Sequence, residues 1–501
     1  MGNFSALGGA EFDAAIIGGG IIGSGVARDL ALRGLSVALI EKGDFGGATT
    51  AGSTRLIHGG LRYLEMLDFG LVRMDLRERE ILLRNAAHLV KPLEFRIPFV
   101  GHSWFFQQKM RAGLCLYDLL SYDKSVPNHR FVSAAETMRD EPSLAREGCT
   151  GSASYYDAQV CLPERLALEN VIDAGRHGAV VRNYAEVVGV ARSSGRITAL
   201  RARDVDSGEE VEVRAKMFVN ATGPWFDRVS ERMGAGQSRR IRTTKGIHLA
   251  CAPMIQKANV LFSPVDGRLF FAIPLLGTTW ISTTDTDFRA DPGGVRADDE
   301  DIEYLLRSVE PFFPDVRRLA LYSTSAGVRA LVKQDGSESS VSRLHKVEQT
   351  EPGVVSILGG KITGYRAIAE DASDAVCKLL GVSVKCSTAV LPLPGTGNAE
   401  TLYGSRWSGV KALVEEYGAI GAEAVFAARE EYCRHLDDYM FRRAAHAFAP
   451  DFGASIAAEA LRGLSKELGW DEARRSAEWC RVGAAAEKAS VKSYPGIVPS
   501  L

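Results

Sequence analysis

The apolar positions in residues 12–41 predict a strand, a turn, an amphipathic helix and a second strand. Gly18, Gly20 and Gly23 form the spacing G-x-G-x-x-G in the turn, and Glu41 ends the second strand. In a dinucleotide site the first glycine permits the tight turn, the second lets the backbone approach a pyrophosphate, and the third lets the helix pack on the strand. The helix start supplies free N–H groups and a positive dipole end to the phosphates. The whole unit therefore favours a dinucleotide site over a plain βαβ unit.

Glu41 narrows the choice of dinucleotide. A carboxylate at the end of the second strand can accept hydrogen bonds from both ribose hydroxyls and would repel a 2′-phosphate. This position therefore favours FAD or NAD over NADP. The next segment, 42–65, has many small and hydroxylated residues, so it can wrap closely around a flat cofactor.

The remaining hydrophobic pattern alternates between helical and strand-like segments. Long helices are predicted within 71–89 and 162–178. Short strands with SSG and DSG turns then predict an antiparallel meander, which ends in MFVNATGPW and returns the chain to the first sheet. The other predicted elements are strands in 92–99, 241–290 and 318–365, an acidic helix near 298–310, and Ala-, Glu- and Arg-rich helices in 400–490.

These patterns predict an α/β fold (α+β overall) in which a Rossmann-like dinucleotide-binding domain is interleaved with an antiparallel-β substrate domain. A C-terminal helical cap follows the linker LPLPGTG at 391–397. The predicted boundaries are 1–90, 160–240 and 350–390 for the dinucleotide domain, 91–159 and 241–349 for the substrate domain, and 398–501 for the helical domain.

Composition and charge exclude several classes of function. Hydrophobic residues at 46% and charged residues at 24% are typical of a soluble globular protein. The 60 basic and 62 acidic residues leave no basic excess for nucleic acid. The cysteines form no C-x-x-C, which favours reduced thiols in a cytosolic protein, and no Cys/His spacing predicts a metal site.

The sequence gives two indications about membranes. The N-terminus lacks the basic start and the apolar stretch of a signal peptide, and no window is long and apolar enough to span a bilayer. Residues 102–122 mix aromatics with Lys109 and Arg111, so this stretch is either an amphipathic helix on a membrane surface or a helix packed within the substrate domain. Packing is favoured, because apolar residues at helical spacing are usually core.

Several motifs occur together in a fixed order. They are KGDFGGATTAGSTRLIHGGLRYLE, VNATGPW, TTKGIHL, ISTTDTDF, SAGVRALV and LGGKITGYRAIAE. With them the chain resembles the FAD-dependent (aerobic-type) glycerol-3-phosphate dehydrogenases, from about residue 12 to 395 and more weakly beyond. The resemblance implies that the dinucleotide domain binds FAD. It also implies that sn-glycerol 3-phosphate is oxidised to dihydroxyacetone phosphate by hydride transfer from C2 to flavin N5, with electrons passing to a quinone.

The resemblance also implies roles for particular residues. A substrate phosphate near the dianion needs fixed positive charge and forked donors. Residues matching Arg62, Tyr63 and Arg343 are expected near the phosphate, and those matching Arg329 and Lys361 near the reacting carbon and the flavin. His58 and His248 are both candidates for the base that takes the hydroxyl proton, since each lies in a glycine-flanked segment and imidazole suits neutral pH.

The expected flavin contacts come from four segments of the chain. The ADP half is expected at the glycine turn and Glu41, and the isoalloxazine O2 edge at the GGKIT turn, where donors would stabilise the anionic reduced flavin. The predicted FAD-binding residues are Gly18, Gly20, Gly23, Glu41, Thr49, Thr50, Ser53, Ala221, Thr222, Gly223, Gly359, Gly360, Lys361, Ile362 and Thr363.

Three alternatives stay open at this point. The first is a glycerol-3-phosphate oxidase that uses O₂, and the second is a related FAD oxidase of amines or 2-hydroxy acids. The third is a protein in which FAD is structural or senses redox state. A quinone acceptor would imply a cytoplasmic protein with peripheral contact at the inner face of the membrane, and a homodimer is a further option.

Overall fold

The computed structural model describes residues 4–234, 239–333, 345–397 and 401–491. The strands are β1 Glu11–Ile17, β2 Val37–Ile40, β3 Leu56–Ile57, β4 Val90–Val100, β5 Arg130–Ser133, β6 Cys149–Val160, β7 Val180–Arg182, β8 Ala185–Ser193, β9 Arg196–Asp204, β10 Glu210–Asn220, β11 Ile241–Cys251, β12 Ala258–Phe262, β13 Leu269–Leu275, β14 Thr278–Ser282, β15 Thr286–Asp287, β16 Leu321–Val332, β17 Lys346–Glu351 and β18 Val354–Leu358. The helices are α1 Ile21–Leu32, α2 Leu61–Glu65, α3 Phe69–Asn85, α4 Trp104–Leu120, α5 Ala134–Asp140, α6 Pro163–Arg176, α7 Phe226–Arg232, α8 Asp299–Val309, α9 Tyr365–Leu380, α10 Trp407–Lys411, α11 Val414–Glu430, α12 Leu436–Asp438, α13 Ala454–Leu468 and α14 Glu472–Ala489.

The first sheet has the order β17-β18-β10-β1-β2-β7. Its neighbours from β18 to β7 run parallel, and β17 is antiparallel at the edge. Strands β1, β2 and β18 are almost wholly buried, as expected for a parallel sheet covered on both faces. On one face α1 packs against α6 and α9, and on the other the predicted meander β8-β9-β10 covers the sheet. Ligands of such sheets bind outside the carboxyl ends of the parallel strands.

The second sheet has the order β15-β11-β14-β13-β12-β4-β6-β3, with β16 beside β11 and β5 beside β6. Its pairs are antiparallel except for β4 with β12. The predicted acidic helix is α8, which covers one face with Ile302, Leu305 and Leu306. The chain enters this sheet three times, from the loop after β2, from α3 and from α7. The predicted interleaving of a Rossmann-like domain with an antiparallel-β domain is therefore confirmed.

The C-terminal part is helical from α10 to α14, as predicted. The segment 391–397 that precedes it is packed against the rest of the protein. Leu393 is buried, its N–H donates to the Asn85 carbonyl, and the Gly395 N–H donates to Glu169 Oε2 at 2.8 Å. The helical part therefore starts from a point fixed on the first sheet's helices.

Helix α4 packs against α2, α3 and β6 through Leu114 and Tyr117, which are buried in one cluster with residues of β4 and β6. The prediction of packing within the substrate-side region is therefore confirmed. The exposed residues of α4 combine the apolar Trp104, Phe105 and Leu119 with Lys109 and Arg111. None of the helices in the described part of the chain combines the length and apolarity needed to cross a bilayer.

Candidate active site

A cavity of about 690 Å³ lies where the carboxyl ends of the parallel strands meet the second sheet. This volume is in the usual range for a cofactor or small-molecule site. One end is lined by the glycine turn and Glu41, and the other by His58, Arg329 and Lys361. The predicted cofactor residues that line it are Gly18, Gly20, Glu41, Thr49, Thr50, Ser53, Ala221, Thr222, Gly223, Gly359, Gly360, Lys361 and Ile362.

The glycine turn is as tight as the motif predicts. Gly18 has φ +102°, and a Cβ there would lie 2.6 Å from the Ala221 carbonyl oxygen. A Cβ on Gly23 would lie 1.9 Å from the Gly18 carbonyl oxygen, so this glycine lets α1 pack on the turn and does not line the cavity. Gly20 lines the cavity and caps α1 without a side-chain hydrogen bond. The Gly20 cap thus leaves room for a phosphate at the start of α1, where the Ile21 N–H donates to Thr50.

The small hydroxylated segment after Glu41 holds itself against both sheets. Thr50 Oγ1 accepts the Ile21 N–H at 3.1 Å and so satisfies one donor at the start of α1. Thr49 Oγ1 donates to the Val328 carbonyl at 2.7 Å and ties the segment to β16. Both threonines line the cavity. Their placement makes this segment one wall of the site.

Glu41 is positioned by backbone donors. Its two carboxylate oxygens accept the N–H groups of Gly19 at 2.7 Å and Gly43 at 2.8 Å. Each oxygen keeps a further lone pair that a ribose hydroxyl can use. Burial raises the pKa of Glu41, and the two backbone N–H groups oppose that rise.

The glycine end of the cavity has an aromatic and cationic rim. The Lys42 ammonium lies 3.6 Å from the centre of the Trp225 ring, and both residues line the cavity. Trp225 Nε1 is buried and has no hydrogen-bond partner in the described part of the chain. Arg228 and Arg232 of α7 line the same end, and Arg442 and Arg481 from the helical part close over it. An extended anionic ligand with an aromatic base fits this set of donors.

At the far end Lys361 is held by two acceptors. Its Nζ donates to the His58 carbonyl at 2.7 Å and to Asp75 Oδ2 at 2.8 Å. His58 lines the cavity, and its ring meets the Phe271 ring edge-on at a centroid distance of 6.0 Å. Tyr63 is buried, with its ring 5.3 Å from Lys361 Nζ. His58 and Lys361 are therefore neighbours in the lining of the cavity.

Arg329 lines the cavity from β16. The backbones of the TAGS and SAGVR segments touch there, since a Cβ on Gly52 would lie 2.5 Å from Gly327 Cα. The guanidinium is oriented by Thr283 Oγ1 at 2.9 Å and Asp285 Oδ1 at 3.0 Å. A forked donor fixed in this way is suited to a carboxylate or phosphate oxygen.

The structure separates the two candidate histidines. His248 is 1% exposed and does not line the cavity, and its Nε2 lies 3.2 Å from Thr54 Oγ1. Burial, with Arg329 and Arg55 nearby, lowers the pKa of His248 to about 3. Such a weakly basic and enclosed imidazole is a poor proton acceptor, whereas His58 is half-buried and faces the cavity.

Three predicted residues contribute indirectly or fall outside the description. Thr363 is fully buried, and its hydroxyl accepts the His58 N–H at 3.2 Å, so it supports the His58 loop without lining the cavity. Arg62 lies in α2, where only its backbone is described. Arg343 lies outside the described residues.

The sequence interpretation did not single out several residues of the site. Thr283 and Asp285 lie in the ISTTDTDF motif, and Trp225 lies in VNATGPW. The motifs therefore indicate these residues, although the sequence does not assign them a role in the site. Asp75 and the cavity-lining Arg442 and Arg481 lie in helical segments whose charges looked like solvated faces. No local signal marks them, because their partners are distant in the chain.

A family model described as FAD dependent oxidoreductase matches residues 13–368, and a second, the C-terminal domain of alpha-glycerophosphate oxidase, matches residues 386–475. The chain belongs to the FAD-dependent oxidoreductases, and the cavity described above is built for that cofactor. The predicted FAD is thereby confirmed, and the glycine turn, Glu41, the hydroxylated segment and the GGKI turn, which are the predicted FAD contacts, line the cavity.

Within that family the chain is a member of the aerobic-type glycerol-3-phosphate dehydrogenases. It is 37% identical to the glycerol-3-phosphate dehydrogenase of Synechocystis sp. over 528 aligned positions, covering 94% of this chain and 96% of the relative. It is 35% identical to glycerol-3-phosphate dehydrogenase 2 of Mycobacterium bovis, covering 93% and 86%. The solved glycerol-3-phosphate dehydrogenase of Bacillus halodurans, complexed with FAD, is 26% identical with a TM-score of 0.79 and covers 97% of this chain and 96% of that one.

Proposed function

We propose that this protein oxidises sn-glycerol 3-phosphate to dihydroxyacetone phosphate with FAD as the hydride acceptor. The observation that carries the proposal is the meeting of Arg329, Lys361 and His58 at one end of a cavity whose other end is a dinucleotide site. The names of the relatives and of the FAD-bound structure support the same substrate.

The cations bind and orient the substrate in this account. Arg329 has its guanidinium fixed by Thr283 and Asp285, so it meets an anionic or hydroxyl oxygen with little further loss of freedom. Lys361 supplies a second donor, fixed by the His58 carbonyl and Asp75. By the resemblance, Arg62, Tyr63 and Arg343 complete the phosphate end.

His58 is the base in the proposed reaction. FAD held in the cavity would supply the acceptor for the hydride from C2, and His58 would take the proton of the C2 hydroxyl on its imidazole. Its side chain faces the cavity, and its backbone is held on both sides, by the Thr363 hydroxyl at the N–H and by Lys361 at the carbonyl. His248 instead lies outside the cavity and forms a hydrogen bond with the cavity-lining Thr54.

The domain boundaries belong to the proposal as well. Residues 1–90, 160–240 and 350–390 would form the FAD-binding domain, 91–159 and 241–349 the substrate domain, and 398–501 the helical domain. The strands of the first sheet lie in the first set of ranges apart from most of β17, and those of the second sheet lie in the second set apart from β3, the first residue of β4 and the last residue of β6. A quinone as acceptor, a cytoplasmic location and a homodimer rest on the resemblance.

The proposed function is tested by anaerobic reduction of the purified yellow protein. We expect sn-glycerol 3-phosphate to bleach the visible absorbance of the flavin, and glycerol or lactate at the same concentration to leave it unchanged. Reoxidation by a soluble quinone analogue that is much faster than reoxidation by O₂ would support a dehydrogenase, and the reverse order an oxidase. An unbleached flavin at saturating substrate would contradict the proposal, and bleaching by an amine or a 2-hydroxy acid instead would identify the alternative class.

Contact with a membrane is proposed at one apolar face. The turn between α2 and α3 exposes Leu67 at 72%, and α4 exposes Trp104 and Phe105 at 73% each. Leu119 and Tyr122 extend this face. Met66 and Phe69, beside Leu67, are exposed as well. Lys109 bridges the two parts through Glu65 at 2.8 Å. Exposed aromatics with flanking cations are typical of a surface that inserts into lipid headgroups.

Replacement of Leu67, Trp104 and Phe105 by serine is expected to weaken binding to anionic phospholipid vesicles about tenfold or more, because each buried apolar side chain contributes about 1.5–3 kcal/mol. Vesicle co-sedimentation measures this. Val205→Ser, which removes an exposed apolar residue in the turn after β9 of the first sheet, is the control and should bind as the unaltered protein does. An unaltered protein that stays in the supernatant would refute the contact.

A further inference from the structure

Helix α3 buries charged residues along the face that it turns to the protein. Asp75, Glu78 and Arg79 are each at most 2% exposed. A buried charge is costly unless it is paired, so a helix with three of them needs three partners. The partners lie on other elements, which means that α3 contributes to tertiary contacts mainly through ions at this face.

Two of the three pairs lie away from the cavity. Arg79 donates to Asp157 Oδ1 of β6 at 2.6 Å, and Glu78 accepts from Arg366 of α9 at 2.6 Å. Asp157 also accepts the Tyr117 hydroxyl. None of these five residues lines the cavity. They hold α3 against β6, α4 and α9.

The third pair is different, because Lys361 lines the cavity. Its ammonium is 2.8 Å from Asp75 Oδ2, and its side chain is 15% exposed while that of Asp75 is fully buried. The other oxygen, Asp75 Oδ1, has no hydrogen-bond partner in the described part of the chain. The carboxylate is therefore compensated by Lys361, and the lysine is held towards the protein by the carboxylate.

We propose that Asp75 is a positioning residue for the reaction, which holds the Lys361 ammonium charged and against the loop that carries His58. The inference rests on the proposed function, since it assigns to Lys361 a role at the reacting end. The Lys361 ammonium bridges the Asp75 carboxylate and the His58 carbonyl. Asp75 on α3 therefore helps to fix the positions of both Lys361, the donor, and His58, the base. Asp75 touches neither substrate nor cofactor and acts through Lys361.

The charge on Lys361 depends on the groups around it. From α3 it is contacted by Asp75, which has the helix-capping Asp68 nearby. Asp157 faces it from β6, the Tyr63 ring from α2, and the His58 carbonyl from the loop before α2. The two buried aspartates favour the ammonium. Burial raises the pKa of Asp75 and Lys361 opposes that rise, as an ion pair requires. Replacing the carboxylate by an amide removes a counter-charge at 2.8 Å, and the loss of an opposite charge disfavours the charged form of a group.

Asp75→Asn is therefore expected to move the alkaline limb of the rate of anaerobic flavin reduction to lower pH by about one unit or more. Stopped-flow reduction by sn-glycerol 3-phosphate across a pH series measures this. Glu78→Gln is the matched control, because it breaks a pair of the same helix face that does not reach the cavity. Its pH profile should coincide with that of the unaltered enzyme even if its stability falls. Coincidence of the Asp75→Asn profile with the unaltered one would overturn the inference.

A second readout does not depend on the substrate. Sulfite forms a reversible adduct with oxidised flavin, and a nearby cation stabilises the negative charge of that adduct. The pH above which sulfite affinity falls should be lower in Asp75→Asn than in the unaltered holoenzyme, and unchanged in Glu78→Gln. If the substrate fails to bleach the unaltered flavin, the proposed function falls and the sulfite titration alone decides the role of Asp75. A sulfite profile unmoved by Asp75→Asn would refute that role.

Discussion

Arg329→Ala is expected to slow flavin reduction by sn-glycerol 3-phosphate about 10²- to 10³-fold, as loss of a preorganised donor at a reacting centre does. The guanidinium is hydrogen-bonded to Thr283 and Asp285 without a ligand, so alanine removes a fixed charge and also leaves these two side chains without their Arg329 partner. FAD should stay bound, because the glycine turn and Glu41 lie at the other end of the cavity. Single-turnover reduction and the flavin-to-protein absorbance ratio measure the two effects.

Two further variants sharpen the test of Arg329. Arg329→Lys keeps the charge and loses the fork, so it should fall between the alanine variant and the unaltered enzyme. Arg317→Ala removes an arginine that pairs with Glu303 and Glu310 outside the cavity, and it should reduce at the normal rate. Loss of FAD from Arg329→Ala would mean that this arginine belongs to the cofactor site.

Asp44→Asn is the second substitution for which we expect a large effect, here on stability and on FAD retention. Asp44 is buried in the loop after Glu41 and accepts hydrogen bonds from Arg442 at 2.6 Å and from Arg443 at 2.6 and 2.8 Å. These arginines hold the pKa of Asp44 well below its usual range. Breaking a buried pair by neutralising one partner costs about 3–5 kcal/mol, since the other charges stay buried. Because Asp44 and Arg442 both line the cavity, the loop that holds FAD should loosen together with the helical part.

The measurements are denaturant unfolding and the amount of FAD retained after gel filtration. We expect Asp44→Asn to lose both stability and cofactor. Asp29→Asn is the control, because it breaks the buried pair with Arg33 inside α1 and Asp29 does not line the cavity. It should lose stability and keep FAD. Full retention of FAD by Asp44→Asn would show that the helical part does not secure the cofactor.

The local part of the FAD site could be predicted from the sequence. The strand, glycine turn, helix and acid of 12–41 follow one another in the chain, and Gly18 and Gly23 are required by close contacts with Ala221 and within that unit. The GGKI turn and the SAGVR segment were found in the same way. Such motifs are readable because the residues that act together are close in sequence or belong to a family pattern.

The long-range part of the site could not be predicted. Asp75 and Lys361 are 286 positions apart, and within 71–89 the aspartate looked like one more charge on a helix face. His58 and His248 were equivalent as sequence, since both stand beside glycines. Packing separates them, because β11 buries His248 between β14 and β16, whereas the loop after β3 leaves His58 at the cavity. Burial and pairing of this kind are properties of the tertiary fold.

The most direct measurement is the anaerobic reduction of the flavin by sn-glycerol 3-phosphate carrying deuterium at C2. If hydride leaves C2 for the flavin in the step that bleaches it, the deuterated substrate must reduce the flavin several-fold more slowly than the unlabelled one, and one dihydroxyacetone phosphate must form per flavin reduced. Equal rates for the two substrates with chemistry limiting, or bleaching without that product, would contradict the account.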